Sequence, residues 1–358
     1  MKAKRVLLVV LMCILSLLGR LILATAMAAF AMYTMSAIYT DGSTAPEPQN
    51  GLSLVNWMQA IEDDTLVTNI AMGGSHDAGC MDMMWAYQTQ NTSIAEQLAC
   101  GTRYFDLRVA DDEGTLRIFH ADMLGVDFLP ILSDIRVFLT NNPSEFVVLD
   151  FQHFFNEDVV DAQKSTFNVV ESALSDLAVH NDTDMDDLTF VKSLRLADCR
   201  GKCLVFWGRR GQYEQTDWVF LRDDDAGRRP DAALHSYYVT EYNTQSSAKY
   251  IADCLPVYWR QYEESNGGLF VLQGQLTDRL YVFGPAYREV SHADNMNDYL
   301  LTLPAEKAKA VNIVMRDYVT PRKNIITLTM NLAKGVVKAE YRDIFAEWRS
   351  SVDYVNVL

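Results

Sequence analysis

Basic side chains are scarce in this chain: 31 Lys and Arg stand against 47 Asp and Glu, leaving a net charge of −16 at neutral pH. That balance, with a pI near 4.8, excludes a nucleic-acid backbone as partner, because a polyanion is repelled by such a surface. A glycine-rich dinucleotide turn is missing, and so is any internal repeat, which removes the nucleotide-binding βαβ unit and the solenoid. No histidine stands near Cys199 or Cys203 at ligand spacing, so a zinc site is not expected. Of six cysteines, Cys13 lies in an N-terminal apolar stretch and five remain. An odd number leaves the pairing of Cys80 with Cys100, or of Cys199 with Cys203, underivable. The content is 49% hydrophobic and 22% charged, that of an ordinary globular protein.

The first 40 residues hold Lys2, Lys4, Arg5 and Arg20 and no acidic side chain, so the rest of the chain carries −20. Lys2, Lys4 and Arg5 form a basic start, residues 6–19 an apolar run, and Ala24-Thr25-Ala26 or Ala26-Met27-Ala28 a small-residue cleavage pattern. Residues 21–39 are a second uncharged stretch, about long enough to span a bilayer. Residues 1–40 are therefore expected to be a secretory signal or an uncleaved anchor, and in either case the basic start stays cytoplasmic. A secreted or extracellular body follows from both readings. The sequons at Asn91 and Asn181 fit that route.

Residues 41–53 read as a linker, with Gly, Ser and two prolines, and residues 54–358 as one domain. Short apolar runs at 67–72, 104–109, 115–119, 146–151, 203–207, 269–272 and 311–315 predict strands. Helical periodicity at 93–100, 128–139 and 159–177 lies between several of them, the first opened by a Ser93/Glu96 capping box. Continuous apolar strands alternating with helices predict a parallel sheet covered on both faces. Seven or eight strands favour closure into an α/β barrel. His76, Asp106, Arg108, His120 and Asp317 then fall at or just beyond strand ends, where such barrels carry their chemistry. Two histidines, an arginine and several carboxylates there suit acid–base phosphoryl chemistry without a metal.

Gly74-Ser75-His76-Asp77 with Trp85 and Thr89-Gln90, then Gly101-Thr102-Arg103-Tyr104-Phe105-Asp106-Leu107-Arg108 and His120, resembles the X domain of phosphatidylinositol-specific phospholipase C. Asn142-Pro143-Ser144-Glu145-Phe146 through Phe154 is similar to the next block of the single-domain, X-domain-containing branch. Further similar blocks are Ser193-Leu194-Arg195 with residues 203–206, Val271-Leu272-Gln273 with Leu276-Thr277, and residues 311–319. Together they run from about residue 54 to 335.

The resemblance implies a distorted TIM-type barrel acting at a membrane surface that contains phosphatidylinositol or its glycosylated anchors. It implies cleavage to diacylglycerol and inositol phosphate, by way of the 1,2-cyclic phosphate, with no metal or cofactor. By position, His76 would be the general base, Asp317 its orienting carboxylate, and His120 the general acid assisted by Asp77. Arg108 would clamp the phosphate, Asp106 matches a further acidic position, and Gln273 is a candidate for binding the inositol ring. The family's usual glycine after the second histidine is Ala121 here, and its methyl group is expected to crowd the phosphate or alter the loop. Two rival readings stay open: an inactive barrel that binds inositol lipids, and a divalent-cation-dependent glycerophosphodiester phosphodiesterase.

Other residues carry blander expectations. His153 is expected to pack, and His180, His235 and His292 to be solvated in loops. Residues 182–187 alternate carboxylates but lack the glycine and final glutamate of a calcium loop, so a solvated acidic loop is expected. Tyr237, Tyr238 and Trp259 either contact lipid or belong to the core.

Overall fold

A computed structural model describes residues 2–155, 159–208, 216–223, 229–236, 246–277 and 284–353. Tyr237 and Tyr238 lie outside the described residues.

Eight parallel strands make the barrel: β1 (Met72–Ser75), β2 (Thr102–Asp112), β5 (Val147–Phe155), β6 (Cys203–Trp207), β7 (Val219–Leu221), β8 (Leu234–His235), β9 (Leu269–Gln273) and β10 (Ile313–Arg316). Each pairs in parallel with the next around the ring, and β10 returns to β1. The ring is nearly closed, its thinnest seam lying between β7 and β8. There a single bridge, Arg222 to Leu234, is flanked by the bonds Ala233 N–H to Leu221 O (2.8 Å) and Asp223 N–H to Leu234 O (3.0 Å). The expected TIM-type barrel is present, and the continuous apolar strands are its reason. Val147–Leu149 and Cys203–Trp207 are buried on both faces, one toward the barrel interior and one under the helices.

Two local expectations are corrected. The apolar run at 67–72 is a 3-10 turn (Val67–Asn69) followed by β1, which begins at Met72 and is carried by glycines. Gly73 is required there, because a Cβ would lie 1.8 Å from Oδ1 of Asn324 in the helix Pro321–Leu328 packed across β1. The run at 115–119 does form β3 (Thr115–His120), but β3 is not a barrel strand. It returns antiparallel alongside the long, protruding β2 and pairs on its other edge with β4 (Met123–Asp127). His120 thus reaches the barrel mouth travelling inward, opposite Asp106 and Arg108. The two N-terminal apolar stretches lie, up to Ile38, on one continuous helix, α1 (Lys2–Ile38), in which Val10–Met35 is apolar, unburied and long enough to cross a membrane.

The helices α2 (Ile94–Ala99), α3 (Phe128–Asn141) and α4 (Val159–Leu174) occupy the expected segments, and Ser93 and Glu96 close the reciprocal capping box of α2. None of the six cysteines, all of them among the described residues, forms a disulfide. His235 and His292 are buried rather than solvated: His235 faces Asp223 (3.2 Å), and His292 lies between Ser247 Oγ (2.8 Å) and Gly274 O (3.2 Å). Half-buried His180 is tied to Asp217 (3.1 Å). Trp259 is core, its Nε1–H donating to the Tyr299 hydroxyl at 2.6 Å. The acidic stretch 182–187 is largely exposed, and Asp186 in it caps the helix Asp187–Ser193.

Two residues of the family-like motifs, Arg103 and Glu145, meet under the barrel instead of at its mouth. Arg103 Nε and Nη2 bond Glu145 Oε2 at 3.0 and 2.8 Å, with both side chains fully buried. The guanidinium also donates to the carbonyls of Leu54, Val55, Leu98 and Thr102, and Glu145 accepts the Met58 N–H at 3.0 Å. Every donor of the fork is used, which is what a charge in that position requires.

Candidate active site

Strand β1 ends at Ser75, and His76 and Asp77 follow on a tight turn in which Asp77 adopts φ = +43°. A non-glycine residue rarely holds that conformation unless its surroundings fix it. Here the Asp77 N–H donates to Asp106 Oδ2 (3.2 Å), the Ala78 N–H to Asp106 O (2.8 Å), and the Asp77 carbonyl accepts from Thr89 Oγ1 (3.0 Å). The turn aims both side chains into the mouth.

His76 Nδ1 lies 2.7 Å from Asp317 Oδ1, just past the end of β10. A carboxylate accepts, so Nδ1 carries the proton and Nε2 is left facing the site. Nε2 stands 3.4 Å from Arg108 Nη2 and 3.4 Å from Asp77 Oδ2. His120 enters from β3 with Nδ1 2.6 Å from the Tyr87 carbonyl. A carbonyl can only accept, so the His120 tautomer is fixed in the same sense, with Nε2 3.6 Å from Asp77 Oδ2. Arg108 is the remaining component. Its Nε is paired with Asp77 Oδ1, and its Nη2 lies 3.4 Å from Asp106 Oδ2. The two imidazoles thus present their Nε2 atoms to one carboxylate, with a guanidinium alongside.

Burial alone lowers the affinity of the His76 imidazole for a proton, but the carboxylates of Asp77 and Asp317 more than offset this and lift its pKa above the ordinary value. His120 goes the other way: burial and the Arg108 charge outweigh Asp77 and hold it below that value. Asp77 is itself held well below the usual carboxylate range, its burial overcome by Arg108 and the two histidines. It is an anion throughout the working range.

His76, Asp77 and Asp106 offer ligand atoms within 4.8 Å of one another, a set that could hold a metal ion. Yet the cationic Arg108 already pairs with both carboxylates. A divalent cation in their midst would be repelled by that guanidinium, so the donor set fits a metal poorly.

Six of the seven sequence-predicted residues therefore converge: His76, Asp77, Asp106, Arg108, His120 and Asp317. Gln273 does not join them. It belongs to a neighbouring polar cluster on the inner barrel wall, where its Nε2 faces Ser236 Oγ (3.5 Å) and its Oε1 accepts from Gln275 (2.7 Å). At the centre of that cluster Asp150 accepts the Tyr104 hydroxyl and pairs with Arg222 Nε, both at 2.6 Å, and Gln152 donates to it at 3.1 Å. Burial raises the Asp150 pKa, Arg222 opposes this, and Asp106 of the main site adds to it. The two clusters therefore adjoin. Asp150, Gln152 and Tyr104 lie inside the family-like motifs, and the sequence alone gives them no role. The available signal was a carboxylate inside the apolar run Phe146–Phe151. Gln90, also in a motif, has a structural role: its Nε2 donates to the His76 and Arg316 carbonyls (2.9 and 3.2 Å) and its Oε1 accepts the Val319 N–H, tying the His76 and Asp317 loops together.

Ala121 sits at φ = +55° and is exposed. The usual glycine at this place has a backbone reason, since the left-handed conformation suits a residue without a Cβ.

The family model described as PI-PLC X 1 matches residues 64–220. The chain is 23% identical over 290 residues to 1-phosphatidylinositol phosphodiesterase of Listeria monocytogenes, covering 78% of this chain and 84% of that protein. It is 41% identical over 73 residues to PI-PLC X domain-containing protein 2 of Homo sapiens, a match spanning 20% of this chain and 24% of the human protein. Among solved structures, the phosphatidylinositol-specific phospholipase C from Listeria monocytogenes superposes with a TM-score of 0.59 at 18% identity, over 78% of this chain and 99% of that one. This likeness carries the fold.

Proposed function

Because the chain belongs to the PI-PLC X domain family, we propose that it is a metal-independent phospholipase C that cleaves the glycerol–phosphate bond of phosphatidylinositol or of its glycosylated form. The observation that carries this reading is the meeting of His76 and His120 at Asp77, with Arg108 paired to the same carboxylate.

In this reading the inositol 2-hydroxyl attacks its own phosphorus, so the nucleophile is already in place. His76 Nε2 takes the hydroxyl proton while Asp317 holds Nδ1–H and steadies the imidazolium that forms. The Arg108 guanidinium faces the charge that builds on the equatorial oxygens. His120 Nε2–H protonates the departing diacylglycerol oxygen, and the products are diacylglycerol and inositol 1,2-cyclic phosphate. Water then opens the cyclic ester with the two imidazoles exchanging roles. Asp106 serves by holding Arg108 and the strained Asp77 turn. The Tyr104, Asp150, Gln152, Arg222, Ser236 and Gln273 cluster offers donors and acceptors suited to the ring hydroxyls.

Before a phosphodiester enters, the proton belongs on His76 and not on His120, the reverse of what cleavage needs. An anionic phosphate beside His120 raises that group's proton affinity, so substrate itself moves the site toward the productive state.

The test is phosphorus NMR of the purified protein acting on phosphatidylinositol with chelator present. The expected result is a cyclic-phosphate resonance that converts to the monophosphate. Turnover abolished by chelator would favour the divalent-cation phosphodiesterase and would mean that a cation enters the cluster of His76, Asp77 and Asp106 despite Arg108. Lipid binding without any product would favour the inactive barrel.

A further inference from the structure

The segment that leaves α1 does not hang free. The Tyr39 ring packs on Tyr318, centroids 4.8 Å apart, and the Lys323 ammonium stands 5.4 Å from the Tyr39 ring centre. The Asn91 side-chain amide donates to the Tyr39 carbonyl. Asp41 Oδ2 accepts from Thr320 Oγ1 at 2.6 Å, and Ser43 Oγ accepts the Arg322 N–H at 3.2 Å. Asn91 belongs to the loop that follows His76, and Tyr318 is the residue after Asp317. These two loops are already joined to each other, since the Tyr318 N–H bonds Thr89 O (2.8 Å) and its hydroxyl bonds Gln88 O (2.6 Å). The end of α1 is therefore clamped to the two mouth loops that carry the His76–Asp317 pair. The expected linker, residues 41–53, is therefore tied to the body from its start, at Asp41 and Ser43.

Position and charge say what this does. The apolar, unburied stretch Val10–Met35 is about 39 Å long at 1.5 Å per residue, enough for the ~30 Å hydrocarbon core of a bilayer. Both candidate cleavage sites lie within it. Its end meets the body at the barrel mouth and not at the base, where Lys338 and Ala60 pair. Met84, Phe155 and Tyr287, on segments that follow strand ends, are exposed large hydrophobics on that same side. The body carries −20 outside the first 40 residues, so it has no electrostatic attraction for a lipid surface and is repelled by an anionic one. A covalent tether supplies the local concentration that charge does not.

We propose that α1 is retained as an anchor and that the clamp at Tyr39, Asp41 and Ser43 holds the barrel mouth against the same bilayer, so that the protein works in cis on lipid of its own membrane. This rests on the phospholipase reading for its substrate, but not for its geometry.

The experiment reconstitutes the full-length chain into vesicles and supplies phosphatidylinositol either in those vesicles or in a second, protein-free population. The cis rate should exceed the trans rate at least tenfold at equal total lipid. Equal rates would overturn the cis arrangement and leave the phospholipase reading standing. No turnover in either arm would overturn the phospholipase reading, and geometry is then decided by fluorescence. For this, an environment-sensitive label is placed on Met84→Cys or on Glu340→Cys at the base, each in a Cys13→Ser background. Spin-labelled lipid should quench the Met84 position several-fold more than the Glu340 position; equal quenching would overturn the proposal. In Tyr39→Ala/Asp41→Ala the cis advantage and the Met84 quenching should both fall, with turnover of detergent-dispersed lipid unchanged. An undiminished advantage would remove the clamp from the account.

Discussion

Asp317 Oδ1 holds His76 Nδ1 at 2.7 Å across 241 residues of sequence, and this one bond fixes the tautomer of the base. Asp317 and Asp77 raise the His76 pKa, whereas burial and Arg108 lower that of His120. In the free protein, His76 should therefore titrate above 6.5 and His120 below it, as read from their C2–H resonances. Asp317→Asn should bring the His76 titration down and leave that of His120 nearly in place. If His76 must be neutral and His120 protonated to react, the acidic limb of kcat/KM follows the lower, His120-linked value and the alkaline limb the higher, His76-linked one. A His120 that titrates above His76 would reverse the assignment.

The Arg103–Glu145 pair gives a stability prediction that is independent of activity. Both charges are buried and every guanidinium donor is used. Glu145→Gln leaves a buried cation without its counter-charge, at a cost of about 3–5 kcal/mol. Urea unfolding followed by circular dichroism should show that loss as a lower midpoint. Replacing both residues by apolar ones should cost less than the single change, because no uncompensated charge remains.

Ala121 offers a test in the opposite direction. A Cβ in the left-handed region costs roughly 1–2 kcal/mol, part of which glycine gives back through its freer unfolded chain. Ala121→Gly should therefore raise the unfolding free energy by up to about 1 kcal/mol. Because Ala121 is exposed, turnover should stay within about twofold of the parent; a larger gain would mean that the methyl does crowd the phosphate.

Much of this was legible in the sequence because β6, β9 and the first half of β5 are short, largely apolar runs, and several of the helices between strands have clear periodicity. The six mouth residues were legible because each falls near the end of such a run. His120 was found for an incomplete reason: its run is a real strand, but it points inward from a hairpin, and direction is not encoded in apolar pattern. β7 and β8, Val219–Leu221 and Leu234–His235, are too short to give a period-two signal. The burial of His235 and His292 depends on partners 12 to 45 residues away, and no local pattern reports that. The Asp41 contact with Thr320 spans 279 residues, so composition alone could only suggest a linker there.

The central claim is that two imidazoles divide the proton work on one lipid phosphate. The most direct measurement compares inositol phosphate release from phosphatidylinositol by the parent chain, His76→Ala and His120→Ala, with chelator present and folding matched by circular dichroism. Each substitution should slow release on the order of 10²–10⁴-fold. Release by either variant at the parent rate would contradict the account.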